Sequence, residues 1–138
     1  MKAVLLDTGV IVALLDRSET HHARCVSAIE GLERPLVSCE AVIAESCYLL
    51  RRLPGAAETI LQNIERRAFQ IPFQLSRSTT PVRSILRKYR NLPADFADAC
   101  LIHLADDLNT GDILTLDSDF RSYRWRRNRP FNLLVPLD

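Results

Sequence analysis

Residues 3–6 form an apolar run that stops at an acid, Asp7, and the mostly apolar run 113–116 stops in the same way at Asp117. Short runs of this kind, bounded by turn residues, read as buried strands. After the first run, Asp7, Thr8 and Gly9 supply turn and capping chemistry ahead of an apolar helical stretch over 10–15, which makes a strand-to-helix corner. The spacing of Ala23, Val26, Ile29 and Leu32 predicts a helix over 19–32, and 35–38 offer a second short strand with Ser38 as a cap. A helix over 39–53 stops at Pro54 and Gly55, another helical pattern runs over 56–69, and 70–73 read as strand. Thr80 and Pro81 open a basic amphipathic helix reaching 90. The next helix starts at Ala94 or Asp95 and fades at 109–111, and 131–135 read as an edge strand. Strands alternating with helices predict an α/β fold with a mainly parallel sheet, in a single domain over 1–138. Open parallel sheets bind ligands beyond the carboxyl ends of their strands, where Asp7 and Asp117 fall.

Composition narrows the class. A chain of 138 residues that is 47% hydrophobic and 25% charged can bury a real core, and nothing in it points to disorder. A net charge of +1 excludes a uniformly basic nucleic-acid binder, yet Arg121, Arg124, Arg126, Arg127 and Arg129 crowd one short stretch. Cys25, Cys39, Cys47 and Cys100 lack metal-knuckle spacing and lie in apolar segments, so they read as reduced, packed thiols. The first apolar run is too short for a signal peptide, and no segment approaches the roughly 20 apolar residues of a membrane span. The expected location is the cytoplasm.

The acids carry the candidate chemistry. A carboxylate among apolar residues must be paired, protonated or metal-bound. Glu45 has Ala41, Val42, Tyr48 and Leu49 as its helical neighbours, none able to neutralise it, so it is expected on an apolar face. Asp95 and Asp98 share a helix face, where like charges repel. Each acid has a structural explanation when taken singly: Asp7 and Asp95 as helix caps, Asp98 as a first-turn acid, Asp117 and Asp119 as turn residues, Glu45 as a surface or paired residue. Taken together, Asp7, Glu45, Asp98 and Asp117 would be separate coincidences.

In order and spacing, the sequence Leu-Leu-Asp-Thr-Gly at 5–9, Glu45, Ala-Asp-Ala-Cys-Leu-Ile at 97–102 and Leu-Thr-Leu-Asp-Ser-Asp-Phe at 114–120 resemble the PIN-domain ribonucleases, and within them the VapC-like toxins of toxin–antitoxin pairs. The likeness spans the chain. It implies a three-layer α/β/α sandwich around a short, mainly parallel sheet, and metal-dependent endoribonuclease activity on an RNA substrate. It also implies a homodimer and a small cognate antitoxin. Asp7, Glu45, Asp98 and Asp117 fall on the family's acidic quartet, as catalytic and metal-binding residues, with Asp119 and Asp95 as further acids and Thr8 and Thr115 as supporting hydroxyls. Oxygen donors without His or Cys suit Mg²⁺ or Mn²⁺ better than Zn²⁺. The chemistry expected is hydrolysis of the phosphodiester, leaving a 5′-phosphate and a 3′-hydroxyl. Two other classes stay open: a catalytically silent PIN-like module that binds RNA or protein, and a metal-dependent phosphohydrolase.

The tail mixes Arg121, Arg124, Arg126 and Arg127 with Trp125, types suited to phosphate contacts and base stacking, and RNA binding is one reading of it. A solvated loop with Trp125 in the core is the other. His21, His22 and His103 are expected in solvated surface roles.

Overall fold

The computed structural model describes residues 2–137. In chain order the elements are β1 (Val4–Leu6), α1 (Thr8–Leu15), α2 (His22–Ile29), β2 (Leu36–Val37), α3 (Glu40–Leu49), α4 (Ala56–Glu65), β3 (Phe69–Gln70), α5 (Thr79–Lys88), α6 (Phe96–Leu108), β4 (Asp112–Leu114), β5 (Arg124–Trp125), β6 (Arg129–Pro130) and β7 (Asn132–Leu133). Two short 3-10 turns, Leu75–Arg77 and Ser118–Arg121, precede α5 and follow β4. Five strands form one sheet in the order β3-β2-β1-β4-β7, and all four pairings are parallel. The resulting α/β sandwich agrees with the sequence expectation, including an edge strand within 131–135.

The central position of β1 follows from its composition. Val4, Leu5 and Leu6 are all fully buried, as a strand covered on both faces requires. Leu6 stands opposite Leu114 of β4, and the Asp7 amide donates to the Leu114 carbonyl at 3.0 Å, so the two strand ends lie side by side. Helix α6 packs against β1, α3 and α5, and α3 also packs against α1. The helices bearing Glu45 and Asp98 are therefore neighbours.

Several helices are shorter than the periodicity predicts, for local backbone reasons. Helix α2 ends at Ile29 because Gly31 turns left-handed, at φ +75°, a conformation glycine adopts at no steric cost. In α4, Arg67 takes φ 64° while the Ala68 amide reaches back to the Asn63 carbonyl at 2.8 Å, a helix-ending arrangement that frees Phe69 for β3. The tail is not a loop: β5 and β6 pair antiparallel, with Trp125 opposite Arg129.

The histidine expectation is corrected. His22 and His103 are half-buried; one ring nitrogen of His22 lies 2.6 Å from the Ala13 carbonyl, and the His103 ring packs edge-on against Phe73. The cysteines hold to expectation as free thiols, with Cys25, Cys39 and Cys100 fully buried.

Candidate active site

The parallel pairing of β1 with β4 delivers Asp7 and Asp117 to the same edge of the sheet. Thr115 links them: its hydroxyl donates to Asp7 Oδ2 at 2.7 Å and accepts from the Asp117 amide at 3.0 Å. The other Asp7 oxygen accepts from the Thr8 amide at 2.8 Å, so Asp7 both caps α1 and faces the strand ends. Asp117 accepts from the Asp119 amide at 2.9 Å, opening the 3-10 turn that follows β4. Asp98 arrives from α6, whose first turn is closed by two acids: the Asp98 amide donates to Asp95 Oδ1 at 2.9 Å, and the Asp95 amide to Asp98 Oδ2 at 3.2 Å. Aspartates fill both roles of this capping box.

Asp7, Glu45, Asp95, Asp98 and Asp117 all line one open cleft of about 290 Å³, together with Thr8, Gly9, Leu49 and Pro93. No cationic side chain is in that lining. The electrostatic consequence is large. Burial, opposed by the bonds from Thr115 and Thr8 and aided by the charges of Asp117 and Glu45, pushes the Asp7 carboxyl up to about 6. Burial, with Asp95, Asp7 and Asp117 adding to it, pushes Asp98 up to about 7. Asp117 is raised as well, by burial first and then by Asp119.

One expectation about the acids changes. Glu45 lines the cleft but is exposed, because the apolar side chains on its helix face, Tyr48 and Leu49, are themselves 63% and 54% exposed. It needs no partner to offset burial. Thr8 lies in the cleft wall with a buried hydroxyl that bonds to nothing among the described residues. Asp119 is outside the lining and touches the site through Asp117.

The donor set is all oxygen, and it combines raised carboxyl pKa values, an idle hydroxyl and no cationic side chain. Those properties fit a hard divalent ion. Among the described residues, however, no three His, Cys, Asp or Glu side chains form a ready-made chelating group. The acids ring the cleft, several of their oxygens already engaged by hydrogen bonds. This spread suits Mg²⁺, which ordinarily retains several waters, better than an ion held by an all-protein cage.

The arginine tail stands apart from the cleft. Trp125 is buried, and its indole N–H donates to the Pro130 carbonyl at 3.1 Å, so it is no platform for stacking bases. Arg126 is held by Asp106, its side chain donating to the Asp106 carbonyl at 3.1 and 3.2 Å. The Arg124 guanidinium donates to the Arg121 and Tyr123 carbonyls. Arg121 and Arg127 are exposed, and Arg126, Arg127 and Arg129 line a separate depression of about 330 Å³. The sequence reading missed the apolar cleft wall of Leu49 and Pro93. Leu49 lies at i+4 from Glu45 and so shares its helix face, which was the available signal.

Comparison with known proteins bears on the same residues. The chain is 29% identical over 116 residues to Ribonuclease VapC26 of Mycobacterium tuberculosis, covering 83% of this chain and 86% of that protein. The crystal structure of M. tuberculosis VapC20, described as a Sarcin-Ricin loop cleaving toxin, superposes with a TM-score of 0.79 at 17% identity, over 92% of this chain and 99% of the other. The family model for the PIN domain matches residues 4–126, a span that includes every acid of the cleft, and the chain therefore belongs to the PIN domain family.

Proposed function

We propose that this protein is a metal-dependent endoribonuclease acting as the toxin of a toxin–antitoxin pair, with Asp7, Glu45, Asp98 and Asp117 as its catalytic and metal-holding residues. The observation that carries the reading is the cleft itself: five acids line it, no basic side chain does, and two of the carboxyls are raised to about 6 and about 7. Such a pocket repels an RNA phosphate until a cation occupies it. The likeness to a ribonuclease of the VapC group and to a toxin that cleaves the sarcin-ricin loop supports RNA as the substrate class.

The four acids would hold Mg²⁺ or Mn²⁺, with Asp95 and Asp119 as auxiliary acids. The bound ion would neutralise the scissile phosphate and act as a Lewis acid toward it. The chain's own part is positional. Thr115 fixes one oxygen of Asp7 and the start of the Asp117 turn with a single hydroxyl, so these two acids hold one orientation before any ligand arrives. The reciprocal cap does the same for Asp98. A single domain over 1–138, a homodimeric state and a small antitoxin that covers the acidic cleft complete the proposal. Among the described residues no helix is long and apolar enough to cross a membrane.

The test is cleavage of RNA with Mg²⁺ or Mn²⁺ and with EDTA, by the native chain and by Asp7→Asn and Asp98→Asn. Activity should need the metal and fall by at least about a hundredfold in either variant. Undiminished cleavage by folded variants in EDTA would refute it. Growth arrest on expression, relieved by Asp98→Asn, separates a toxin from a silent binding module.

A further inference from the structure

Another cavity lies outside the acidic cleft. A hollow of about 430 Å³ opens where the turn before α5 meets the middle of α6. Phe73 and Leu104 supply apolar wall, and Gln74, Arg77, Ser78 and His103 supply polar groups. His103 lies five residues beyond Asp98, roughly 8 Å further along α6 and about 140° around it, so the hollow faces away from the cleft.

The two least exposed of these polar groups lack partners among the described residues. Ser78 is 7% exposed and stands at the N-cap of α5, yet its hydroxyl makes no capping bond and no other hydrogen bond among the described residues. That leaves the Thr79 and Thr80 amides of the first turn of α5, which contains no acid, without side-chain compensation, while Pro81 has no N–H to satisfy. The Nδ1 of His103 is buried and unpaired. The His103 ring lines the hollow, so a group entering it meets an imidazole that offers a ring nitrogen. Arg77 adds an exposed guanidinium whose side chain bonds to nothing among the described residues.

Donors of the Ser, His, Gln and Arg types, gathered beside a helix N-terminus, match the oxygens of a phosphate. Asp107 is the one opposing group: it lines the same hollow, one helical turn beyond His103. We propose that this hollow is a phosphate-binding site distinct from the acidic cleft, taking either a backbone phosphate of an RNA strand or a small phosphate compound. The inference does not depend on the chain being a nuclease.

Calorimetric titration of the full chain with inorganic phosphate in EDTA tests it, because the acidic cleft then has no cation with which to attract the anion. Saturable binding with a dissociation constant of about 1 mM is expected, weakened roughly tenfold by Arg77→Gln and unchanged by Asp98→Asn. Asp107→Asn should tighten it, a gain that misfolding cannot produce. Competition between phosphate and a 2′-deoxy oligonucleotide would identify a strand phosphate as the natural occupant; preference for a mononucleotide would identify a small compound. Absence of saturable binding, indifference to Arg77→Gln, or weaker binding in Asp107→Asn would overturn the proposal.

Discussion

Neutralising Asp7 should make the metal-free protein more stable while removing its activity. The Asp7 carboxyl is 8% exposed and raised from 3.8 to about 6, so its ionised form is held in the fold at a cost. That displacement corresponds to about 3 kcal/mol above pH 7. The sign follows from proton counting. Between the unfolded value of 3.8 and the folded value of about 6, the native state retains a proton that the unfolded chain releases, so stability falls as pH rises through that window. Below it both states are neutral and the cost disappears. Asp7→Asn removes the charge but keeps an amide oxygen to accept from Thr8, and weakens the bond from Thr115, a loss of about 1 kcal/mol. A net gain of about 2 kcal/mol is therefore expected at pH 8 in EDTA, vanishing between about pH 4 and 5 and turning below that into a loss that approaches about 1 kcal/mol. Urea unfolding of the native chain and the variant across that range measures it. Equal or lower stability of the variant at pH 8 would show that Asp7 is compensated in a way the bare cleft does not reveal.

Three other outcomes follow from the packing. Gly111→Ala should destabilise the fold by about 2 kcal/mol or more in thermal melts, because an added Cβ would meet Trp125 Nε1 at 2.0 Å, where a rigid buried ring cannot yield. Ser38→Ala should cost about 1 kcal/mol in urea, since the buried Ser38 hydroxyl donates to the Leu6 carbonyl at 2.8 Å at the end of the central strand. Replacing Arg121 and Arg127 with Ala should leave the melting temperature unchanged and reduce the salt dependence of RNA binding, whereas Arg126→Ala should lower the melting temperature slightly by removing the two guanidinium bonds to the Asp106 carbonyl; an unaltered salt slope in the double variant would remove the tail from the RNA interface.

The sequence was most legible where local pattern and tertiary role coincide. The run 3–6 and the acid after it predict both the central strand and a residue at its carboxyl end, because an all-apolar strand has only the sheet interior to occupy. The matching run at 113–116 works the same way, although the ladder stops at Leu114 and leaves Thr115 to bond with side chain rather than strand. Glu45 shows the limit. Its apolar neighbours suggest burial, but whether a helix face is covered depends on what packs over it, and Tyr48 and Leu49 stay in solvent. For Trp125 the sequence leaves open an exposed stacking surface or the core, and the core reading holds; five surrounding arginines cannot decide it, because the residue it packs on, Gly111, lies 14 positions earlier in the chain. Helix ends at Ile29 and Glu65 depend on single left-handed residues, and Arg67 carries no sequence mark of that conformation.

The closing turn of α6 carries one more consequence. Its cap uses Oδ2 of Asp98 to hold the Asp95 amide, so a ligand in the cleft that takes this oxygen competes with the bond that finishes the helix. Occupancy and helix-end fraying are thereby joined: whatever draws Asp98 forward relaxes the start of α6, and whatever tightens that start holds Asp98 back. The first turn of α6 and the site thus share one carboxyl, and the 3.2 Å bond at the Asp95 amide, longer than its 2.9 Å counterpart, is the side on which the cap would give first.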